Sequence, residues 1–180
     1  LNTNALSVNT LIKNGKSRDI KLAMSYLSFI AHAYIWGGAK PKSVLPEAIA
    51  KPWVQLADHL GRPPILSYAS YCLDNWYRIN PKKKISLENV ALINNFLGGV
   101  DEDWFVTIHV CIENAAKTSI KAAFALSKLN EHDSIKTYAL YLRQIIKSLK
   151  EVIEGQTLQI KKIHKKNFTK LLAQPIIYSC

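Results

Sequence analysis

The sequence predicts an all-α protein whose helices pack as a bundle. Apolar residues recur at three- and four-residue spacing over several long segments, as expected for helices buried on one face. Glycine pairs and prolines fall between these segments, where helices commonly end. No segment shows a convincing strand-like alternation, and the chain has no internal repeat or low-complexity tract.

The first predicted helix spans Ser17 to Trp36 and ends at the glycine pair 37–38. Pro52 is predicted to open the next short helix, because its missing N–H is not needed there, and Gly61 closes it. Apolar residues of the first helix lie on one face: Ile20, Ala23, Met24, Leu27, Ile30, Ala31, Tyr34 and Ile35.

Pro63 and Pro64 force a break before a third helix, predicted over 65–77. Ser86 is a plausible N-cap for a helix that runs to Leu97. Asp101 can cap the long helix that follows, which is predicted to end near Asn130.

The last predicted helix begins near Asp133 and continues past Glu154. Its predicted apolar face comprises Tyr138, Leu142, Ile145, Ile146, Leu149 and Ile153. Short pieces and most prolines precede residue 99, and long helices follow it. The sequence therefore predicts a subdomain boundary near 98–101, which separates residues 1–99 from residues 100–180.

The chain is basic, with 24 Lys and Arg against 13 Asp and Glu in 180 residues, a net charge of +11. Such a charge attracts polyanions, but the basic residues cluster only at Lys82–Lys84 and Lys161–Lys166. No helix-turn-helix, RNA-binding or zinc-finger signature accompanies them. A solvated basic surface, or a charge balanced by a partner chain, is the favoured interpretation, and nucleic acid is not expected as a partner.

The three cysteines, Cys72, Cys111 and Cys180, form no C-x-x-C pair, and neither a disulfide framework nor a zinc site is suggested. This pattern fits a reducing compartment, and we expect a cytoplasmic protein. No signal peptide is apparent. The most apolar segment, 22–36, is too short and too interrupted to span a membrane.

The stretch NNFLGGVDEDWFVTIHVCIE, residues 94–113, contains residues that are candidates for a functional site. Phe105 and His109 are four residues apart, so a helix places them one above the other on one face. Glu113 lies one turn further along and could orient the imidazole. Spacing alone leaves two interpretations open: a core histidine with satisfied hydrogen bonds, or the polar group of a reaction pocket.

Four stretches, in this order and spacing, resemble the N-terminal half of the indoleamine 2,3-dioxygenase family: AHAYIWGG at 31–38, LPEAIAKPW at 45–53, GRPPILSYASYCLDNW at 61–76 and GGVDEDWFVTIHVCIE at 98–113. The resemblance covers about residues 20–150. It implies a helical fold in which a small cap domain precedes the first long helices of a haem-dioxygenase domain. It also implies haem b as cofactor, with L-tryptophan or a related indoleamine and O₂ as substrates and N-formylkynurenine as product.

The resemblance implies roles for five residues. Phe105 and His109 match positions on the distal face of the haem, where they look onto the substrate, and His109 would position it. Tyr68, Tyr71 and Cys72 match positions that touch the indole. Their i, i+3 and i, i+4 spacing lets them share a helix face. Ordinary core packing of these three side chains is the alternative.

The resemblance also implies a proximal histidine and a substrate-binding arginine well downstream of the matched segment. None of His32, His59, His132 and His164 sits in a stretch resembling the proximal-ligand helix, so no metal ligand is assigned in this chain. Catalysis by this chain is therefore left open. It could be a fragment that lacks the C-terminal half of a haem dioxygenase, or one half of a split enzyme that a second chain completes. The alternatives are a degenerate paralogue without haem and a non-catalytic helical interaction module.

Overall fold

A computed structural model describes residues 8–162, with side chains described as far as residue 157. Five α-helices account for most of this part of the chain: α1 (Asn9–Asn14), α2 (Ser17–Trp36), α3 (Glu47–Leu60), α4 (Val100–Leu126) and α5 (Ile135–Lys162). A π-helical turn (Ala69–Leu73), a 3₁₀ turn (Leu87–Asn89) and two short strands, β1 (Trp76–Arg78) and β2 (Val90–Leu92), lie between α3 and α4. The strands pair in one small sheet. The predicted all-α class is confirmed.

The described residues divide into two compact units. The first comprises 8–77 and 92–98, and the second comprises 78–91 and 99–162. The chain therefore passes from the first unit to the second at the glycine pair 98–99, where the φ angles are positive, at 68° and 98°. Glycine adopts such angles without steric cost, which favours a sharp turn before α4.

The first unit is built on α2 and α3, which pack against each other around Met24, Leu56 and Trp53. The Trp53 indole N–H donates to the Ser28 hydroxyl at 2.9 Å, and that hydroxyl donates to the Met24 carbonyl at 2.7 Å. The buried polar atoms at this helix contact are therefore paired, as a stable core requires.

Pro52 does not open α3, as the sequence predicted. The helix begins at Glu47, and the carbonyl of Pro46 accepts the amides of Ile49 and Ala50, each at 2.9 Å. Pro52 is buried inside the helix. The prediction was wrong because Pro46, six residues earlier, supplies the restrained φ angle that starts the helix.

The helix predicted from Ser86 to Leu97 is absent, and the chain there forms the 3₁₀ turn and β2. Two buried asparagines hold it in place. Asn75 bonds the amide and the carbonyl of Asn94, both at 2.8 Å. Asn89 bonds the amide of Asn80 at 2.8 Å and the carbonyls of Asn80 and Lys84 at 3.1 and 2.9 Å. These side chains substitute for backbone partners, which a helix-propensity argument does not consider.

The second unit is dominated by the antiparallel pair α4 and α5. Ser148 of α5 is buried, and its hydroxyl donates to the Ala115 carbonyl at 2.5 Å. The same hydroxyl accepts the Ser119 amide N–H at 3.1 Å. Ala115 and Ser119 are four residues apart, so Ser148 bonds two groups that are partners in the α4 ladder. The two hydrogen bonds of the Ser148 hydroxyl fix the register of α5 against α4.

The α4 side of α5 also carries Gly155, one heptad after Ser148. A Cβ added at Gly155 would lie 2.8 Å from Cγ1 of Ile112. Four residues of the predicted apolar face, Leu142, Ile146, Leu149 and Ile153, are instead exposed. The face of α5 that packs on α4 is therefore not the predicted apolar face. It is a neighbouring face that carries Ser148 and Gly155, whose small size lets the two helices approach closely.

Replacing Gly155 by alanine is expected to destabilise the protein. Alanine gains about 1 kcal/mol in helix propensity over glycine. The clash with Ile112 costs about 1–3 kcal/mol, which outweighs that gain because both helix backbones are packed. Urea unfolding followed by circular dichroism measures the change. Combining G155A with I112A should recover part of the loss, and a G155A protein more stable than the parent would contradict this packing.

Candidate functional site

Helix α4 carries Phe105 and His109 one turn apart in the second unit. Their ring centroids are 4.4 Å apart and their planes are tilted by 47°. Phe105 is buried and His109 is half-buried. Three acidic residues occupy the first turn of α4, where the positive end of the helix dipole stabilises negative charge. The predicted one-face arrangement of the two rings is present.

The imidazole of His109 is held in one orientation. Its Nδ1 lies 2.6 Å from the carbonyl oxygen of Phe105. A carbonyl oxygen can only accept, so Nδ1 carries the hydrogen and donates it. In the neutral ring, Nε2 is then the nitrogen with an acceptor lone pair. The Phe105 carbonyl of α4 thus selects the tautomer in which Nδ1 carries the hydrogen and Nε2 is the acceptor.

Burial lowers the pKa of His109 below its ordinary value of 6.5. The hydrogen bond to the Phe105 carbonyl and the charge of Glu113 oppose this shift by favouring the imidazolium, but burial is the larger effect. His109 is therefore mainly neutral at neutral pH. A neutral imidazole is suited to accept a hydrogen bond and to position a donor.

This pKa shift predicts that acid destabilises the fold. As the pH falls through 6.5, the unfolded chain takes up a proton before folded His109 does, so the free energy of unfolding decreases. His32, whose pKa burial also lowers, adds to the effect. Urea unfolding at several pH values on either side of 6.5 should show stability lost on the acid side. H109Q should reduce that loss, and an identical pH profile would contradict the prediction.

Tyr68, Tyr71 and Cys72 lie in and next to the π-helical turn of the first unit. This turn is wider than an α-helix, and the Asp74 amide donates to the Ala69 carbonyl five residues earlier at 2.8 Å. Tyr68 is 36% exposed, whereas Tyr71 and Cys72 are buried. Of the three, Tyr68 is thus the most accessible side chain.

Two aromatic residues that sequence reasoning missed support Tyr71. Phe29 of α2 stacks on Tyr71 with ring centroids 5.6 Å apart, and Phe96 lies 4.5 Å from Phe29. The Ser25 hydroxyl donates to the Ser70 carbonyl at 2.8 Å, which ties the same turn to α2. These partners come from segments far apart in the chain, so no local spacing could have identified them.

The other histidines have different surroundings. His32 Nδ1 bonds the Ser28 carbonyl at 2.9 Å, and its ring meets Trp53 edge-on with centroids 5.8 Å apart. His59 lies in the last turn of α3, and His132 is exposed between α4 and α5. His164 and Cys180 lie outside the described residues. Between residues 8 and 157, no three His, Cys, Asp or Glu side chains are grouped so that they could hold a metal ion.

The basic and apolar segments singled out in the sequence have the following places in the structure. Lys82–Lys84 are exposed in the turn between β1 and the 3₁₀ turn. The cluster Lys161–Lys166 falls at the end of α5 and beyond the side chains that are described. In the part of the chain that the structure covers, no helix combines the length and apolar character needed to cross a bilayer.

Comparison with known proteins identifies relatives over most of the chain. A sequence model of the family "Indoleamine 2,3-dioxygenase" matches residues 2–168. The indoleamine 2,3-dioxygenase of Saccharomyces cerevisiae is 34% identical over 152 residues, covering 77% of this chain and 34% of the yeast protein. Indoleamine 2,3-dioxygenase 1 of Rattus norvegicus is 35% identical over 170 residues, covering 83% of this chain and 42% of the rat protein.

The mouse indoleamine 2,3-dioxygenase 1 is also similar, with 35% identity over 136 residues that cover 74% of this chain and 33% of the mouse protein. The chain thus spans between a third and about two fifths of the length of these relatives. The family match extends across the segments that carry Tyr68, Phe105 and His109. The chain therefore belongs to the indoleamine 2,3-dioxygenase family.

Proposed function

We propose that this chain supplies the substrate-facing part of a haem dioxygenase that opens the indole ring of L-tryptophan with O₂ to give N-formylkynurenine. Family membership supports the reaction class. The observation that carries the proposal is the pairing of a buried phenyl ring with a neutral imidazole whose tautomer is fixed. This pair suits a flat aromatic substrate that has an N–H donor.

Haem is the cofactor that this proposal requires, and the described residues suit its substrate side. When bound, haem would supply the iron that binds O₂, and the protein's task is to orient the indole and exclude water. Phe105 and His109 offer an apolar ring and an acceptor nitrogen for that task. We assign no iron ligand among the described histidines. The relatives are longer than this chain, and we propose that the iron ligand comes from a part of the family sequence that the described residues do not include.

His109 is proposed to position the substrate through Nε2. Because Nδ1 donates to the Phe105 carbonyl, Nε2 can accept the indole N–H. Phe105 would pack against the indole by an offset or edge contact. No proton needs to leave the histidine in this role, which agrees with a pKa that favours the neutral ring. His109 is therefore proposed to position the substrate rather than to act as a general acid.

Tyr68, Tyr71 and Cys72 are proposed as indole contacts, with the residues up to Gly99 forming the small cap domain of the enzyme. The aromatic stack with Phe29 and Phe96 gives Tyr71 a fixed position, which is what a specificity-determining residue needs. The enzyme is proposed to act in the cytoplasm, in keeping with the cysteine pattern.

Product formation tests this function. The chain would be expressed with haem supplied, alone and together with the part of the yeast relative that lies outside the match. N-formylkynurenine formed from L-tryptophan and ¹⁸O₂ would be measured by mass spectrometry. We expect product carrying two labelled oxygen atoms from the combined preparation. A combined preparation that folds and binds haem but makes no product would contradict the proposal and favour a non-catalytic interaction module.

A further inference from the structure

The chain between β1 and the 3₁₀ turn concentrates positive charge on the surface of the second unit. Residues 78–91 carry four Lys or Arg against one Glu, a net charge of +3. The four cations, Arg78 and Lys82–Lys84, lie within seven consecutive residues, and every residue from 78 to 84 is exposed. We call residues 78–84 the basic loop.

Hydrogen bonds to the backbone give the basic loop a defined shape. The Asn80 carbonyl accepts the Lys83 amide at 3.1 Å, and the Asn80 side chain accepts the Lys82 amide at 3.0 Å. Asparagine followed by Pro81 is a favoured start for such a turn. The buried carboxamide of Asn89 in turn bonds both the amide and the carbonyl of Asn80. The loop is therefore ordered by its own chain, which lowers the entropy cost of binding.

Arg78 brings a fourth charge to the same loop. Its Nη1 donates to the Lys83 carbonyl at 3.2 Å, so the guanidinium lies against the backbone of the lysine run. Between residues 8 and 157, no acidic side chain forms an ion pair with Arg78 or with Lys82–Lys84. Like charges that the fold holds together repel one another, and an anionic surface brought close to them relieves that repulsion.

An exposed isoleucine accompanies these cations. Ile79 follows Arg78 and is 60% exposed. The Ile79 amide donates to the Asn89 carbonyl at 3.1 Å, so its backbone is held while its side chain stays in water. Anionic bilayers bind surfaces of this composition, because cations are attracted to the lipid headgroups and an apolar side chain enters the boundary with the acyl chains.

We propose that the basic loop docks the protein on an anionic phospholipid surface, such as the cytoplasmic leaflet of a membrane. Arg78 and Lys82–Lys84 contact the lipid headgroups, and Ile79 enters the boundary beneath them. Binding of this kind is peripheral and needs no membrane-spanning helix. A loop in which seven consecutive residues are exposed suits an extended surface that reaches several side chains at once. This proposal does not depend on the dioxygenase activity.

Vesicle flotation of the full chain tests the proposal. One set of vesicles is phosphatidylcholine alone, and the other contains about 30% phosphatidylserine to imitate an anionic leaflet. We expect binding to the anionic vesicles that weakens at high salt, because salt screens the attraction between exposed charges. Equal binding to both sets of vesicles, or binding to neither, would overturn the proposal.

Two matched triple variants separate the basic loop from the net charge of the chain. Each lysine near an anionic surface contributes about fivefold in affinity, so K82A/K83A/K84A should weaken vesicle binding on the order of 100-fold at low salt. K136A/K147A/K150A removes the same charge from exposed positions of α5 and should retain most of the binding. Circular dichroism confirms that both variants are folded. Equal losses from the two variants would show that net charge binds the vesicles, which contradicts docking by the loop.

A further variant and soluble anions distinguish a bilayer from other sources of negative charge. I79S leaves the charge unchanged and should weaken vesicle binding at least about threefold. Glycerophosphoserine, the free headgroup, should not displace the protein. Unchanged binding by I79S, or displacement by the free headgroup, would contradict docking on a bilayer. So would a single-stranded oligonucleotide or polyglutamate that binds the protein more tightly than the anionic vesicles do at the same salt concentration.

Discussion

Replacing His109 by alanine is expected to reduce tryptophan turnover on the order of 100-fold in the haem-loaded enzyme, while haem content stays unchanged. Loss of the imidazole removes the acceptor that holds the indole, and a substrate misplaced by about 1 Å can lose a factor of this size. The loss should fall on kcat as well as KM, because orientation matters most at the reacting carbon atoms.

Two matched variants separate positioning from a general structural effect. H109Q retains a side chain that can accept a hydrogen bond and should keep more activity than H109A. H132A removes an exposed histidine from the loop between α4 and α5 and should have no effect. Steady-state kinetics and the absorption spectrum of bound haem give both readouts. An H109A enzyme with unchanged kcat/KM would show that His109 does not position the substrate.

Replacing Ser148 by valine is expected to lower the free energy of unfolding by about 3 kcal/mol. The hydroxyl bonds to Ala115 and Ser119 are lost, and a branched apolar side chain is forced against the α4 backbone. S148A is the matched control and should cost about 1 kcal/mol, because the Ser119 amide can then bond the Ala115 carbonyl directly. Urea unfolding measures both, and equal stability of the two variants would contradict the described helix contact.

The long helices could be predicted from the sequence because each carries several turns of regular apolar spacing. The region between α3 and α4 could not. Its conformation depends on side chain-to-backbone bonds of Asn75 and Asn89, which connect segments up to nineteen residues apart. Propensity favours a helix after Ser86, but the tertiary pairing of those asparagines overrides it.

The apolar face of α5 shows what periodicity leaves undetermined. Ile145 and Ile146 are neighbours in sequence, and both belong to apolar rows at helical spacing. Only the close approach at Ser148 and Gly155 determines which row meets α4. Serine and glycine are not apolar core residues, so an argument from apolar spacing ignores Ser148 and Gly155. The sequence analysis therefore predicted the wrong row of α5 as buried.

The part of the candidate site whose residues are close together in the sequence could be predicted. Four-residue spacing was enough to place Phe105 and His109 together, and the structure adds the Nδ1 bond that fixes the tautomer. The stack of Phe29, Tyr71 and Phe96 joins residues 25 to 67 positions apart, which no local pattern reveals.

The most direct test of the central claim is a tryptophan titration of the haem-loaded combined preparation, in which this chain is paired with the part of the yeast relative that lies outside the match, followed by absorption in the ferric, ferrous and ferrous–CO states. If Phe105 and His109 hold the indole against the haem, L-tryptophan should shift the Soret band saturably, and H109A should weaken that response. A protein that binds one haem per chain but whose spectrum does not respond to L-tryptophan in any of the three states would contradict the account.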